Sequence, residues 1–294
     1  MTPNDTIAPQ EQDAAKEENL HFRILEDIAR NLSGEVNFPT SIDLAITLRN
    51  TLKNPEASAD EIERVVAAEP VIASRLLRLA NTPACNSGGP TIVDLKSAIK
   101  ALGLQTVRTA ALTMAMDQVL KSKKLACFDR FAKLTWEHSI LSAAIARALA
   151  RRVPRINPEA AMLAGLVHDI GIYYLLYRAS EFMEYVDNEE ALIELVIDWH
   201  ESVGGSVLSA LGMPEDIVES VRDHDRPRLT DNDPYTLGDI VYIANLLAGS
   251  NWEWLPHTIS AKEEQAMSKT RERYSQILTE AKTEIRELHA ALSD

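Results

Sequence analysis

The chain has 294 residues, of which 46% are hydrophobic, 25% charged and 5% aromatic, a composition that excludes collagenous and wholly disordered chains and suits one large globular domain or two modest ones. Its formal net charge is −14. Such acidity repels a phosphate backbone, and no basic stretch longer than Lys121-Ser122-Lys123-Lys124 opposes it, so nucleic acid is disfavoured as a partner.

Two cysteines, Cys85 and Cys127, form neither a disulfide framework nor a CxxC pair. They read as reduced core thiols of a cytosolic protein. The first 19 residues are acidic and polar, without the basic and apolar regions of a signal peptide. No apolar run approaches the ~18 residues a membrane helix needs. A soluble cytoplasmic protein without membrane attachment is expected.

Residues 1–19 lack apolar periodicity and are expected to be a disordered tail. Helical spacing begins with Phe22, Ile24, Leu25, Ile28 and Leu32, and returns at Ile42, Leu44, Ala45 and Leu48. Ser58 with Glu61 makes a capping box ahead of Ile62, Val65 and Val66, and Pro70 can open the helix carrying Ile72, Leu76, Leu77 and Leu79. The Gly- and Pro-rich stretch from Asn81 to Pro90 predicts a loop. Two helices separated by Gly103 follow, over 92–102 and 105–120, the second with Arg108, and the lysine cluster reads as a boundary. Later helices are expected over 128–152, 159–167, from Asp169 or Ile170 through Leu176, over 189–211, after Pro214, and over 237–248. With no convincing period-2 strand, the fold class is all-α. The divisions are 20–125, 126–258 and a C-terminal helix over 259–294.

Of seven histidines, His21, His257 and His289 join no polar constellation. The other four, His138, His168, His200 and His224, are 30, 32 and 24 residues apart, about what a helix and its return consume. Each can therefore arrive at the same end of a bundle. With Asp169 and Asp239 they make a donor set suited to a first-row divalent ion. His168 and Asp169 interrupt the apolar stretch AGLVHDIGI, and burying that doublet without a partner costs several kcal/mol. His200-Glu201 cannot begin an HExxH zinc helix, because Gly204 stands where the second histidine belongs, and no GxxxxGK[ST] or GxGxxG occurs.

The segment from Ala164 to Gly171 resembles the HD superfamily of metal-dependent phosphohydrolases. FPTSIDLAITL at 38–48, the stretch from Glu69 to Pro83 and SAIKALGLQTVR at 97–108 narrow the resemblance to its HDOD branch, and WEHSI at 136–140 and HESVGGSVLSALGMP at 200–214 complete it. The resemblance implies an HD-type helical bundle joined to an N-terminal helical lobe, in a bacterial signalling protein. By position it implies metal ligands at His138, His168, Asp169 and Asp239, with His200 and His224 holding a second ion and Asp169 bridging as the catalytic residue. One or two divalent ions of iron, manganese, nickel, cobalt or zinc are implied.

Other positions depart from the catalytic relatives. Ile172 stands where many have a lysine, no GYP segment occurs between His224 and Asp239, Asp223-His224 replaces a histidine pair, and Leu134 stands where some relatives place a carboxylate. Arg222, Arg226 and Arg228 can be read as phosphate clamps or as a solvated rim. The expected function is therefore a regulatory module acting through signalling proteins or a small nucleotide-like ligand. The alternative is a metal-dependent phosphohydrolase or phosphodiesterase acting on a nucleotide or cyclic dinucleotide. Near the C-terminus, Met267, Tyr274, Leu278, Ala281, Ile285, Leu288 and Leu292 form a helical stripe that can pack on its own domain, pair in a homodimer, or dock a partner.

Overall fold

The computed structural model describes residues 20–31, 62, 66, 70–83, 85–86, 88–104, 106–107, 123–210, 213–229, 232–249 and 260–292. The expected tail at 1–19, the helix at 42–48, the Ser58/Glu61 capping box and most of the 105–120 helix with Arg108 lie outside them. Among the described residues the ordered elements are helical and no strand occurs, as the apolar periodicity predicts.

Helix α1 covers 20–31 and α2 covers Pro70–Ala80. The loop after α2 is stitched by one side chain. Asn81 donates from Nδ2 to the Leu77 and Ile92 carbonyls, and its Oδ1 accepts from the Ile92 amide, each at 2.8 Å. Helix α3, Leu95–Leu102, starts where Asp94 accepts from the Ser97 amide and stops at Gly103, whose φ of 76° is open to glycine. It packs on α2 through its buried Ala98, Ile99 and Leu102.

A 3₁₀ turn, Lys123–Phe128, leads into α4, Asp129–Ala150. Cys127 is exposed on that turn and Cys85 is half-buried, so neither thiol is the core residue the composition suggested. Helix α4 is the axis of the molecule, with α5 (Pro158–Val167), α10 (Leu237–Ala248) and α11 (Ala261–Leu292) all packed on it. Asn157 caps α5 by accepting from the Glu159 amide, with Pro158 in the first turn. Helix α6, Ile170–Ala179, packs against α8, Glu189–Ala210; the short α7, Met183–Val186, and α9, Glu215–Ser220, flank that pair.

Two glycines set how closely these helices approach. A Cβ on Gly165 would lie 2.8 Å from the Ser142 carbonyl of α4. On Gly171 it would lie 1.9 Å from the His200 carbonyl of α8 and 2.7 Å from the Gly204 amide. The bare backbones therefore touch at both ends of the His168-Asp169 doublet.

One sequence expectation needs correction. The stretch Pro158–Ala179 is long and apolar enough to cross a membrane by composition, with a mean hydropathy of 1.4. Its best window is nevertheless 94% buried inside the protein, and the stretch breaks between α5 and α6 at His168 and Asp169. It is a pair of successive core helices, α5 against α4 and α6 against α8, apolar because protein surrounds it.

Helix α1 packs beside α6 and α7. Asp27 pairs with the buried Arg178, Arg23 with Glu184 at 3.2 Å, and His21 stacks on Tyr185. At the other end of the chain, α11 packs back on α4, α10 and α2 and buries Met267, Ile277 and Ala281. Tyr274, Leu278 and Ile285 are packed at its margins. As far as Ile285 the stripe thus follows the first of its three expected roles, with Ile277 added to it, while the side chains of Leu288 and Leu292 lie outside the described ones.

Candidate metal centre

Four histidines reach one point from four segments. His138 projects from α4, His168 with Asp169 occupies the α5–α6 break, His200 projects from α8, and His224 lies in the turn after α9. That turn bends through Asp223, whose φ is 55°. The left-handed region is uncommon for a residue with a Cβ, and aspartate is among those that tolerate it best.

All four rings are anchored in the same way. Nδ1 lies 2.7 Å from a backbone carbonyl in each case: Gly249 for His138, Gly165 for His168, Val196 for His200 and Val221 for His224. A carbonyl can only accept, so each Nδ1 carries the proton and each Nε2 of a neutral ring presents a lone pair. The four Nε2 atoms face the cluster. Relative exposure is 0% at His168, 2% at His200, 1% at His224 and 4% at Asp169, so water does not compensate them. His138, with an 11% exposed side chain, stands at the mouth.

Asp169 lies at the centre. Its Oδ1 is 3.2 Å from His224 Nε2, and its Oδ2 is 3.3 Å from His168 Nε2 and 3.8 Å from His138 Nε2. Donor atoms of His138, His168 and Asp169 lie within 4.8 Å of one another, and so do those of Asp169, His200 and His224. Two ion-sized groups thus share one carboxylate.

The electrostatics call for positive charge. Burial holds the His168 imidazolium down, to a pKa of about 4, against the attraction of Asp169. Burial acts the same way on His224, but Asp225 and Asp169 outweigh it and push that ring up to about 10. Burial works against the charged forms of Asp169 and Asp225 as well, yet the neighbouring histidines hold both well below the usual carboxylate range. The buried Asp169 and the half-buried Asp225 therefore stay ionised among imidazoles.

A divalent cation fits this donor set. His138 Nε2 and His168 Nε2 are 3.2 Å apart with both Nδ1 atoms committed, so their lone pairs oppose each other unless a cation intervenes. His200 Nε2 is buried without an aligned hydrogen bond, although Asp225 Oδ2 lies 3.2 Å away. Imidazole with carboxylate suits first-row divalent ions, and the Nδ1-to-carbonyl bonds are the outer-shell support metal-binding histidines ordinarily have.

Asp239 does not join the cluster. It is the third residue of α10, where its Oδ2 accepts from the Tyr235 and Thr236 amides at 2.9 and 2.8 Å and its Oδ1 pairs with Arg228. The capping box consumes the carboxylate, and the cluster meets α10 near its other end. Asn245 stands there instead, with Oδ1 2.8 Å from His138 Nε2. Asp225 is the other residue the sequence reading passed over, bonded to Asn245 Nδ2 at 2.7 Å. A signal existed for both. Asn245 is the one polar residue in IVYIANLLA, and Asp225 is the immediate neighbour of His224.

A cavity of about 530 Å³ lies on the far side of Asp239, lined by Arg228, Tyr235, Tyr242, Lys269, Arg273 and Tyr274 among others and by none of the four clustered histidines. Its walls come from α10, α11 and the loop leading into α10, so it is distinct from the chemistry of the cluster.

Comparison with known proteins agrees with this architecture. The family model of the HDOD domain matches residues 38–227. A structure from Shewanella amazonensis SB2B, provisionally named a metal-dependent phosphohydrolase, is 22% identical with a TM-score of 0.64, covering 88% of this chain and 99% of that one. An HDOD domain protein of unknown function from Geobacter sulfurreducens is 22% identical with a TM-score of 0.58, covering 94% and 98%. A structure from Marinobacter aquaeolei VT8, provisionally named a signal transduction protein, is 16% identical with a TM-score of 0.57, covering 93% of this chain and 66% of that one. At these identities the likeness is one of fold. No curated protein matches the chain.

Proposed function

The chain belongs to the HDOD family, and from that membership we propose that it is a cytoplasmic bacterial signal-transduction module whose HD site holds a divalent transition metal and which acts by contact with signalling proteins or by sensing a small nucleotide-like ligand. The observation that carries this reading is the fate of every cation offered for phosphate. Arg222 pairs with Glu219 at 3.2 Å, Arg226 with Asp223 at 2.9 Å, and Arg228 with Asp239. Ile172, at the position where many catalytic relatives carry lysine, is 0% exposed in the core. In-line displacement at phosphorus needs the phosphate held and its charge offset, and removal of one such contact lowers rates by about 10²–10³.

The convergent imidazoles favour the second reading, a metal-dependent phosphohydrolase. A bound divalent ion would lower the pKa of a water molecule and polarise a phosphoryl oxygen. Asp169, shared by both donor groups, would hold that water for proton transfer.

Elemental analysis of protein purified without chelator, followed by chromatography of cyclic-di-GMP incubated with iron-, manganese- and nickel-loaded protein, separates the two. The expected result is about one or two ions per chain, lost in His168→Ala and Asp169→Ala, with no turnover. Turnover near ~1 s⁻¹, in the range of working enzymes, and abolished in Asp169→Ala, would establish the phosphohydrolase instead.

A further inference from the structure

The amide of Asn245 has one orientation available. Its Nδ2 donates to Asp225 Oδ1 at 2.7 Å and to the His224 carbonyl at 3.3 Å, both of them acceptors. Exchanging Oδ1 and Nδ2 would set an oxygen against two oxygens, so Oδ1 is held toward the cluster. There it faces His138 Nε2 at 2.8 Å. The Nδ1 of that ring is committed to the Gly249 carbonyl, and Nε2 of the neutral ring therefore offers a lone pair. Two lone pairs opposed at hydrogen-bond distance repel unless something positive lies between or beside them, and the His168 lone pair 3.2 Å from the same Nε2 adds a third.

Resting on the metal reading above, we propose that Asn245 Oδ1 is itself a metal ligand, completing with His138, His168 and Asp169 a four-donor group in which a neutral amide oxygen replaces the second carboxylate. Carbonyl oxygens of this kind ligate divalent ions in other proteins. The group then carries a single negative charge, from Asp169, where the HD pattern implies two. Asp225 has a separate task as a positioning residue: it fixes the amide and sits 3.2 Å from His200 Nε2, which mechanically joins the two donor groups.

Full-length wild type, Asn245→Leu and Asn245→Asp are titrated with Co²⁺ against a chromophoric chelator, and the visible ligand-field spectrum of each is recorded. The set is repeated in a His200→Ala background, which leaves the His138 group as the complete one. Asn245→Leu keeps the size of the side chain and removes the donor; it is expected to weaken Co²⁺ binding at least about tenfold and to shift the visible bands. Asn245→Asp restores an oxygen donor, so binding returns with a spectrum different from both. Weaker binding in Asn245→Leu with an unchanged spectrum overturns ligation and leaves Asn245 a positioning residue. Wild-type affinity and spectrum in Asn245→Leu overturn it equally. A wild type that takes up no Co²⁺ overturns the metal reading and this assignment together, which distinguishes that failure from the other two.

Discussion

Each of the four clustered histidines is bound through Nδ1 to a carbonyl belonging to its own or a neighbouring segment, and this decides how the site responds to protons. His168, fully buried, is held to a pKa of about 4 from an ordinary 6.5. A group depressed in this way contributes stability that is complete above about pH 6.5 and is lost as pH falls through about 4. His224 is raised to about 10, so its contribution is complete below 6.5 and constant across that window. Chelator-treated protein should accordingly show a urea midpoint that declines as pH is lowered from 6.5 to 4. A flat midpoint would contradict a neutral His168. Metal retention should fall over the same range, because protons compete for the same nitrogens.

At the scale of elements, the site exists because backbones touch. Gly171 lets the start of α6 meet α8 at His200, and a Cβ there would fall 1.9 Å from the His200 carbonyl. Gly171→Ala should cost about 3 kcal/mol or more, since backbone rather than a mobile side chain blocks the methyl group. It should weaken metal retention too, by displacing His200. Denaturant titration and elemental analysis check the two effects separately. Helix α11 offers a parallel case. Ile277 is 0% exposed between helices, and Ile277→Ala should cost about 2–5 kcal/mol. The stripe read from the sequence, Met267 to Leu292, stepped from Tyr274 to Leu278 and passed over Ile277, because a three-and-four spacing describes one partner helix whereas α11 meets α2, α4 and α10.

For the whole molecule, the direction in which α11 packs bears on assembly. The side of α11 that carries Met267, Ile277 and Ala281 is already covered by its own domain, so removal of residues 265–294 should leave the oligomeric mass by light scattering unchanged and lower the melting temperature, because those residues leave the core. A mass that halves would show that the helix also joins two copies.

How much of this was legible in the chain itself follows from the range of each interaction. The all-α architecture, the break at His168-Asp169 and the four inward histidines are written in local spacing, and helical periodicity reports which face is buried without any knowledge of what buries it. The same local grammar could not separate Asp239 from Asn245. Both lie on α10, six positions apart, and a carboxylate is the better ligand by chemistry alone. Only the packing of α10 on α4 shows that the first is consumed by its own helix terminus and by Arg228, while the second faces His138. The apolar run from Pro158 to Ala179 is ambiguous for the same reason: composition records that its surroundings are apolar, and the tertiary fold decides that those surroundings are other helices of this protein. Periodicity is a property of neighbours in sequence; ligation and enclosure are properties of neighbours in space, set by contacts between residues that nothing in the linear order pairs.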